Sequence, residues 1–115
     1  MASNPAEPGD DAAKGPIHVQ RAEAFETVLD TDTRVLVDFY ADWCGPCNAL
    51  APRIERLASE VDNPVVKLDV EALPDVATRY DVQAIPTLIV FENGMPVERM
   101  RGVQEKAVLA DALDA

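Results

Sequence analysis

Cys44 and Cys47 are the only cysteines in the chain, and both fall in the stretch ADWCGPCNAL at 41–50. Gly45 and Pro46 separate them. With 115 residues, 48% of them hydrophobic, the chain can build a core without covalent staples. Two cysteines are also too few for a disulfide-framed secreted scaffold. Their chemistry must be read from their position. The apolar run VLVDFY ends at Tyr40, a short connection follows, and a helix begins at or just after Cys44. A helix N-terminus carries unpaired N–H groups and the positive end of the helix dipole, and both favour an anion. A thiolate is such an anion, so Cys44 is expected to have a depressed pKa and to be nucleophilic near neutral pH. Cys47 lies one turn further in. Residues three apart on a helix have Cβ atoms about 5–6 Å apart, whereas a disulfide wants about 3.5–4.5 Å. The bond forms if the first turn tightens. It closes a tiny loop and restrains the unfolded chain little. Such a bond is better suited to being made and broken than to clamping a fold. Pro46 stiffens this turn and fits an early helical position.

Other readings of the pair stay open on the residues alone. Two ordinary buried cysteines are one, although Trp-Cys-Gly-Pro-Cys is a poor core filler. A zinc site is another, but zinc takes four ligands and His18 is the only histidine. A metal held between two chains by both pairs is a third. Redox exchange accounts for the spacing best.

Three more positions break the local pattern. Asp38 stands inside VLVDFY, where burying a carboxylate is costly. It is either turned to solvent at a strand end or a buried acid with a raised pKa, holding a proton near the cysteines. Lys67 in VVKLDV is a cation among apolar residues, and its plain reading is a lysine that snorkels to water. Trp43, just before Cys44, either packs into the core or lies exposed as an apolar landing surface beside the thiol.

These side chains need a scaffold. IHV (17–19), RVLVDFY (34–40) and PVVKLDV (64–70) read as strands, and the second is apolar enough to be buried on both faces. RAEAFETVLD (21–30) reads as a helix with Ala22, Phe25 and Leu29 on one stripe. Leu50, Ile54, Leu57 and Val61 continue the helix that the cysteines open; Pro52 inside it removes the bond to the Asn48 carbonyl and predicts a kink. LPDVATRY (73–80) is a short helix. TLIVFENGMPVERMR (87–101) is a hairpin whose Asn93-Gly94 suits a type I′ turn and whose Pro96 suits an edge strand. QEKAVLADALDA (104–115) is a closing helix. The order β-α-β-α-β-α-β-β-α predicts an α/β fold: a central mixed β-sheet with four helices on both faces. Residues 1–16, rich in Pro, Gly, Ala and Asp, read as a disordered tail ahead of one domain over 17–115.

VDFYADWCGPC, APRIERLA, VKLDV and AIPTLIVFENG, in this order and spacing, resemble the thioredoxin family across Ile17 to Ala115. The resemblance implies a thioredoxin fold and a protein-disulfide reductase acting by thiol–disulfide exchange. Cys44 would attack a disulfide in another protein and Cys47 would resolve the mixed disulfide. Asp38 would be the family's buried aspartate, helping to deprotonate Cys47, and Lys67 the lysine that tunes it. Local preference would make the bond before Pro86 trans; the resemblance makes it cis, lying against the cysteines. It also implies a target-binding surface made by Trp43, Gly45, Pro46, Ile85, Pro86, Thr87 and Gly102, with Ala84 at its edge and an extended target segment pairing with the backbone there. No cofactor and no metal are implied, since electrons pass by thiol exchange alone. The electron donor would be a thioredoxin reductase. The chain departs from the family's common pattern at Asp42, Asn48 and Ala84, which leave the mouth less cationic or less open. A non-enzymatic thioredoxin-fold subunit or partner-binding module is the competing reading, and an oxidase or isomerase of an oxidising compartment is another.

The formal net charge of −11 opposes binding to nucleic acid or to an anionic membrane. No stretch approaches the ~20 apolar residues of a membrane span, and the N-terminus lacks the basic and apolar regions of a secretory signal. A monomer in the cytoplasm is the expectation. Three lysines against many aspartates suggest a surface made for a salty cytoplasm, as in a halophilic microbe.

Overall fold

The computed structural model describes residues 15–114. The expected disordered tail over 1–16 lies almost wholly outside the described residues. The elements run β1 (Ile17–Val19), α1 (Ala22–Leu29), β2 (Val35–Tyr40), α2 (Gly45–Glu60), β3 (Val65–Asp69), α3 (Pro74–Arg79), β4 (Thr87–Glu92), β5 (Met95–Arg101) and α4 (Lys106–Asp114). The five strands form one mixed sheet in the order β1-β3-β2-β4-β5. β2 pairs parallel with β3 and antiparallel with β4, so the most apolar strand takes the centre. β5 is an edge strand, as Pro96 requires, because a proline has no N–H for a second neighbour. Asn93 and Gly94 both have positive φ (54° and 78°), as a type I′ turn demands.

Alternation along the strands builds two cores. Val35, Val37 and Phe39 of β2 pack with Phe25 and Leu29 of α1 and Val76 of α3. Leu36 packs on the other face, with Leu50, Ile54 and Leu57 of α2 and Leu109 and Leu113 of α4. The first core is fastened by edge-to-face contacts among Phe25, Tyr80 and Phe91, with ring centroids 5.1–5.9 Å apart. The second is tied at its ends by two arginines. Arg34 donates to Glu92 (3.0 Å) and to the Ala112 carbonyl (2.8 Å), and Arg53 donates to the Gln104 carbonyl (2.8 Å). α2 remains one helix through Pro52, which is exposed. Its N-terminus is thereby held over the C-terminal end of β2, where the cysteines lie.

Five ion pairs form among the described residues. They cannot balance 21 acidic side chains against 10 basic ones, so the surface repels itself and salt should screen that repulsion. The Debye length falls from about 10 Å at 0.1 M to about 3 Å at 1 M. The melting temperature is expected to climb between dilute buffer and molar KCl; a gain of about 1 kcal/mol would raise it ~4–8 °C in a domain of this size. A neutral osmolyte measured alongside separates charge screening from salt exclusion. A flat melting curve across that range would reduce the acidity to a solubility feature.

Candidate active site

Cys44 is the N-cap of α2, with extended backbone (φ −86°, ψ 112°). Gly45 and Pro46 fill the first two helical positions and Cys47 the third. The Cys47 N–H donates to Cys44 Sγ at 3.1 Å. A sulfur therefore occupies the place where a serine or aspartate oxygen usually caps a helix, and negative charge on it is met by a backbone donor and the helix dipole. The two sulfurs are joined in a disulfide, with Cα atoms 5.2 Å apart. Both residues are nearly covered, Cys44 at 4% exposure and Cys47 at 1%. A partner thus reaches Cys44 through a narrow opening and does not reach Cys47 directly.

The opening is framed by the loop before β4. The Ile85–Pro86 bond is cis, and the Ile85 carbonyl oxygen lies 3.8 Å from Cys44 Sγ. Ile85 packs beside Ala41, Cys44 and Cys47. The Gly102 N–H donates to the Pro86 carbonyl at 2.9 Å and ties the end of β5 to this loop. Gly102 does so at φ +82°, a conformation that disfavours any side chain. Gly45 and Pro46 are exposed next to Cys44. Trp43 is 68% exposed, which decides against core packing, and its indole N–H donates to Glu71 Oε2 at 2.6 Å.

Thr87, which the resemblance implies for this surface, does not join it: it is wholly buried and its hydroxyl donates to the Ala84 carbonyl at 2.5 Å. Its backbone lies between Phe39 on β2 and Arg101 on β5, so it has no free edge for a target segment. Along the framing loop, Ile85 and Ala84 retain exposure, while Pro86 is buried.

Asp38 is 0% exposed, and neither carboxylate oxygen has a hydrogen-bond partner among the described residues. The solvent-facing reading is therefore wrong. Strand alternation puts Asp38 on the α2 face of the sheet, between Leu36 in the second core and Tyr40 beside the cysteines. Burial raises its pKa to about 6, and the positive charge of Lys67 pulls it partly back. Lys67 is the direct cross-strand neighbour of Asp38 on β3. At 8% exposure it does not snorkel into water; its ammonium sits over the Tyr40 ring, 4.2 Å from the centroid.

Two participants escaped the sequence reading. Tyr40 could have been found, since it follows Asp38 by two residues and must share its face. Glu71 could not, because its meeting with Trp43 depends on how the loop after β3 folds back. Among the described residues no cluster of three or more His, Cys, Asp or Glu side chains is arranged to hold a metal ion, and no helix there is long and apolar enough to cross a membrane.

A helix-capping cysteine is disulfide-bonded to its neighbour one turn on and faces a cis-proline loop, and the family model described as Thioredoxin matches residues 16–115. The chain belongs to the thioredoxin family. A thioredoxin of Staphylococcus aureus is 46% identical over 95 residues, covering 76% of this chain and 91% of that one. The bifunctional thioredoxin reductase/thioredoxin of Mycobacterium leprae is 47% identical over 95 residues, 81% of this chain but 21% of that longer protein. The solved structure of a mutant thioredoxin from Halobacterium salinarum superposes with a TM-score of 0.84 at 39% identity, covering 89% of this chain and 90% of that one. The sheet of five strands with four helices is the thioredoxin fold, and the activity is that of a thiol–disulfide oxidoreductase reducing protein disulfides.

Proposed function

We propose that this member of the family carries two electrons from a thioredoxin reductase to disulfides in other proteins, as a monomer in the cytoplasm, and that its steps divide among named residues as follows. In the reduced state the Cys44 thiolate attacks one sulfur of a target disulfide. The target S–S bond breaks, a Cys44–target disulfide forms, and the departing target sulfur takes a proton. Cys47 then gives up its proton, with Asp38 as the acceptor through a water or a small movement, and attacks Cys44 Sγ. The second target sulfur leaves as a thiolate and takes the proton held by Asp38, and the Cys44–Cys47 disulfide remains. The target has gained two electrons and two protons. The reductase returns them to the pair.

The observation that carries this reading is the disulfide at the helix cap beside the half-buried Ile85. The Ile85 N–H is engaged by no hydrogen bond among the described residues, so an extended target segment can pair there as an added strand. The M. leprae relative, whose name joins a reductase and a thioredoxin, supports the choice of donor. The test is reduction of insulin disulfides by the dithiol form, followed by turnover with NADPH and a flavin-dependent thioredoxin reductase. Rapid reduction in the first assay and cycling in the second are expected. Failure of the first removes the reductase role and favours a partner-binding module; failure of the second alone assigns a different donor.

A further inference from the structure

A lysine abreast of a buried carboxylate would be expected to pair with it. Lys67 and Asp38 are direct partners in the parallel register of β2 and β3, and both lie on the face covered by α2. Yet no ion pair within 4.0 Å joins them, and both Asp38 oxygens lack a partner among the described residues. The Lys67 ammonium is drawn one step further along the sheet, over the face of the Tyr40 ring. The ring presents its negative face to a cation that is largely out of water, the setting in which such contacts are strongest.

We propose that Tyr40 is a positioning residue for the exchange reaction: its ring holds the Lys67 ammonium off Asp38 and so leaves the buried acid free to take up a proton next to the cysteines. This rests on the assignment of Asp38 as the base for Cys47. The other groups around Asp38 offer no substitute. Leu88 of β4 lies opposite it and is apolar, α4 contributes Leu109 and Leu113 to that face, and α2 contributes Leu50, Ile54 and Leu57. The acids nearest Tyr40 are Asp69, its cross-strand partner, Asp42 and Asp38 itself. With burial, they hold its phenol above the ordinary range, so the ring stays neutral throughout the working pH range. The arrangement has a chemical purpose. A tight Lys67–Asp38 pair would keep the carboxylate ionised and a weak base; an ammonium parked on the ring leaves it basic enough to accept the Cys47 proton.

The test keeps shape constant. Tyr40→Phe retains the ring and should leave the Asp38 titration midpoint, read by carboxyl-carbon NMR in the reduced protein, unchanged. Phenylalanines at position 40 carrying more and more ring fluorine lose the negative face without losing volume. The midpoint should then fall stepwise, by about a tenfold change in proton affinity between the first and last of the series, as Lys67 moves onto Asp38. The same series in a Lys67→Met background should show no trend. A trend that persists without Lys67, or none with it, overturns the proposal. The pH profile of Cys47 alkylation in a Cys44→Ser protein is read in parallel. If the Asp38 midpoint moves and that profile does not, the assignment of Asp38 as base fails while the hold of Tyr40 on Lys67 stands.

Discussion

Replacing Cys47 by serine will leave Cys44 able to attack a target disulfide and unable to let go. The first step needs only the capped sulfur of Cys44, with its backbone donor at 3.1 Å and the α2 dipole; in Cys47→Ser that backbone N–H is retained. The second step needs a thiol at position 47, and a serine hydroxyl cannot displace the mixed disulfide. Turnover should fall on the order of 10³-fold or more, as it does when one member of a covalent pathway is lost. A covalent target adduct should build up, visible as a higher-mass band that disappears with dithiothreitol. Cys44→Ser should lose turnover equally and trap nothing. In the reduced wild-type protein, iodoacetamide at pH 7 should label Cys44 before Cys47, because Cys47 is the more deeply covered of the two and lies inside the helix. Faster labelling of Cys47, or adducts trapped by Cys44→Ser, would reverse the two roles.

The framework around this pair was legible because each element has a strong local signature. VLVDFY is a central strand in the sequence pattern and in the sheet, and the Asn93-Gly94 turn has the backbone its residues predict. The site was less legible wherever its geometry depends on contacts between distant segments. Asp38 was an anomaly with two readings, and only the α2 and α4 side chains packed on its face decide that it is buried. In the sequence Lys67 fits either a snorkelling residue or a tuner of the acid. Its actual place over Tyr40 follows from the register of β2 against β3, and no local pattern encodes register between strands so far apart in the chain. Thr87 was misplaced for the opposite reason. Its neighbours Ile85 and Pro86 frame the cysteines, but Thr87 starts β4, and a residue in a strand paired on both sides has no surface to offer. The cis bond before Pro86 runs against local preference and was carried by the resemblance alone.

The Asp38→Asn protein is expected to be more stable than the wild type at pH 8 and equally stable at pH 4. Asparagine has nearly the shape of a protonated aspartate, so the two proteins differ chiefly in the ionised state. Burial holds Asp38 at about 6 against an ordinary 3.8, which means that the folded protein binds this proton more tightly than the unfolded chain does. Stability then falls as pH rises through that window, nearly the full cost is present above about pH 7, and little remains below about 4. At about 1.4 kcal/mol per pKa unit the cost is roughly 3 kcal/mol, and the amide should recover as much as that at pH 8. Urea denaturation at both pH values measures it. Catalysis should move the other way. Neither carboxylate oxygen is hydrogen-bonded to a sulfur in the disulfide state, so the acid acts at one remove, and its loss should slow turnover at pH 7 by about tenfold or somewhat more, below the ~10²–10⁴-fold of a directly placed base. Equal stability gains at pH 4 and pH 8 would show that Asp38 is not a raised acid; unchanged turnover would remove it from the reaction. Both changes together would mean that the fold accepts a destabilising buried charge because the exchange reaction needs a base on the buried side of the pair.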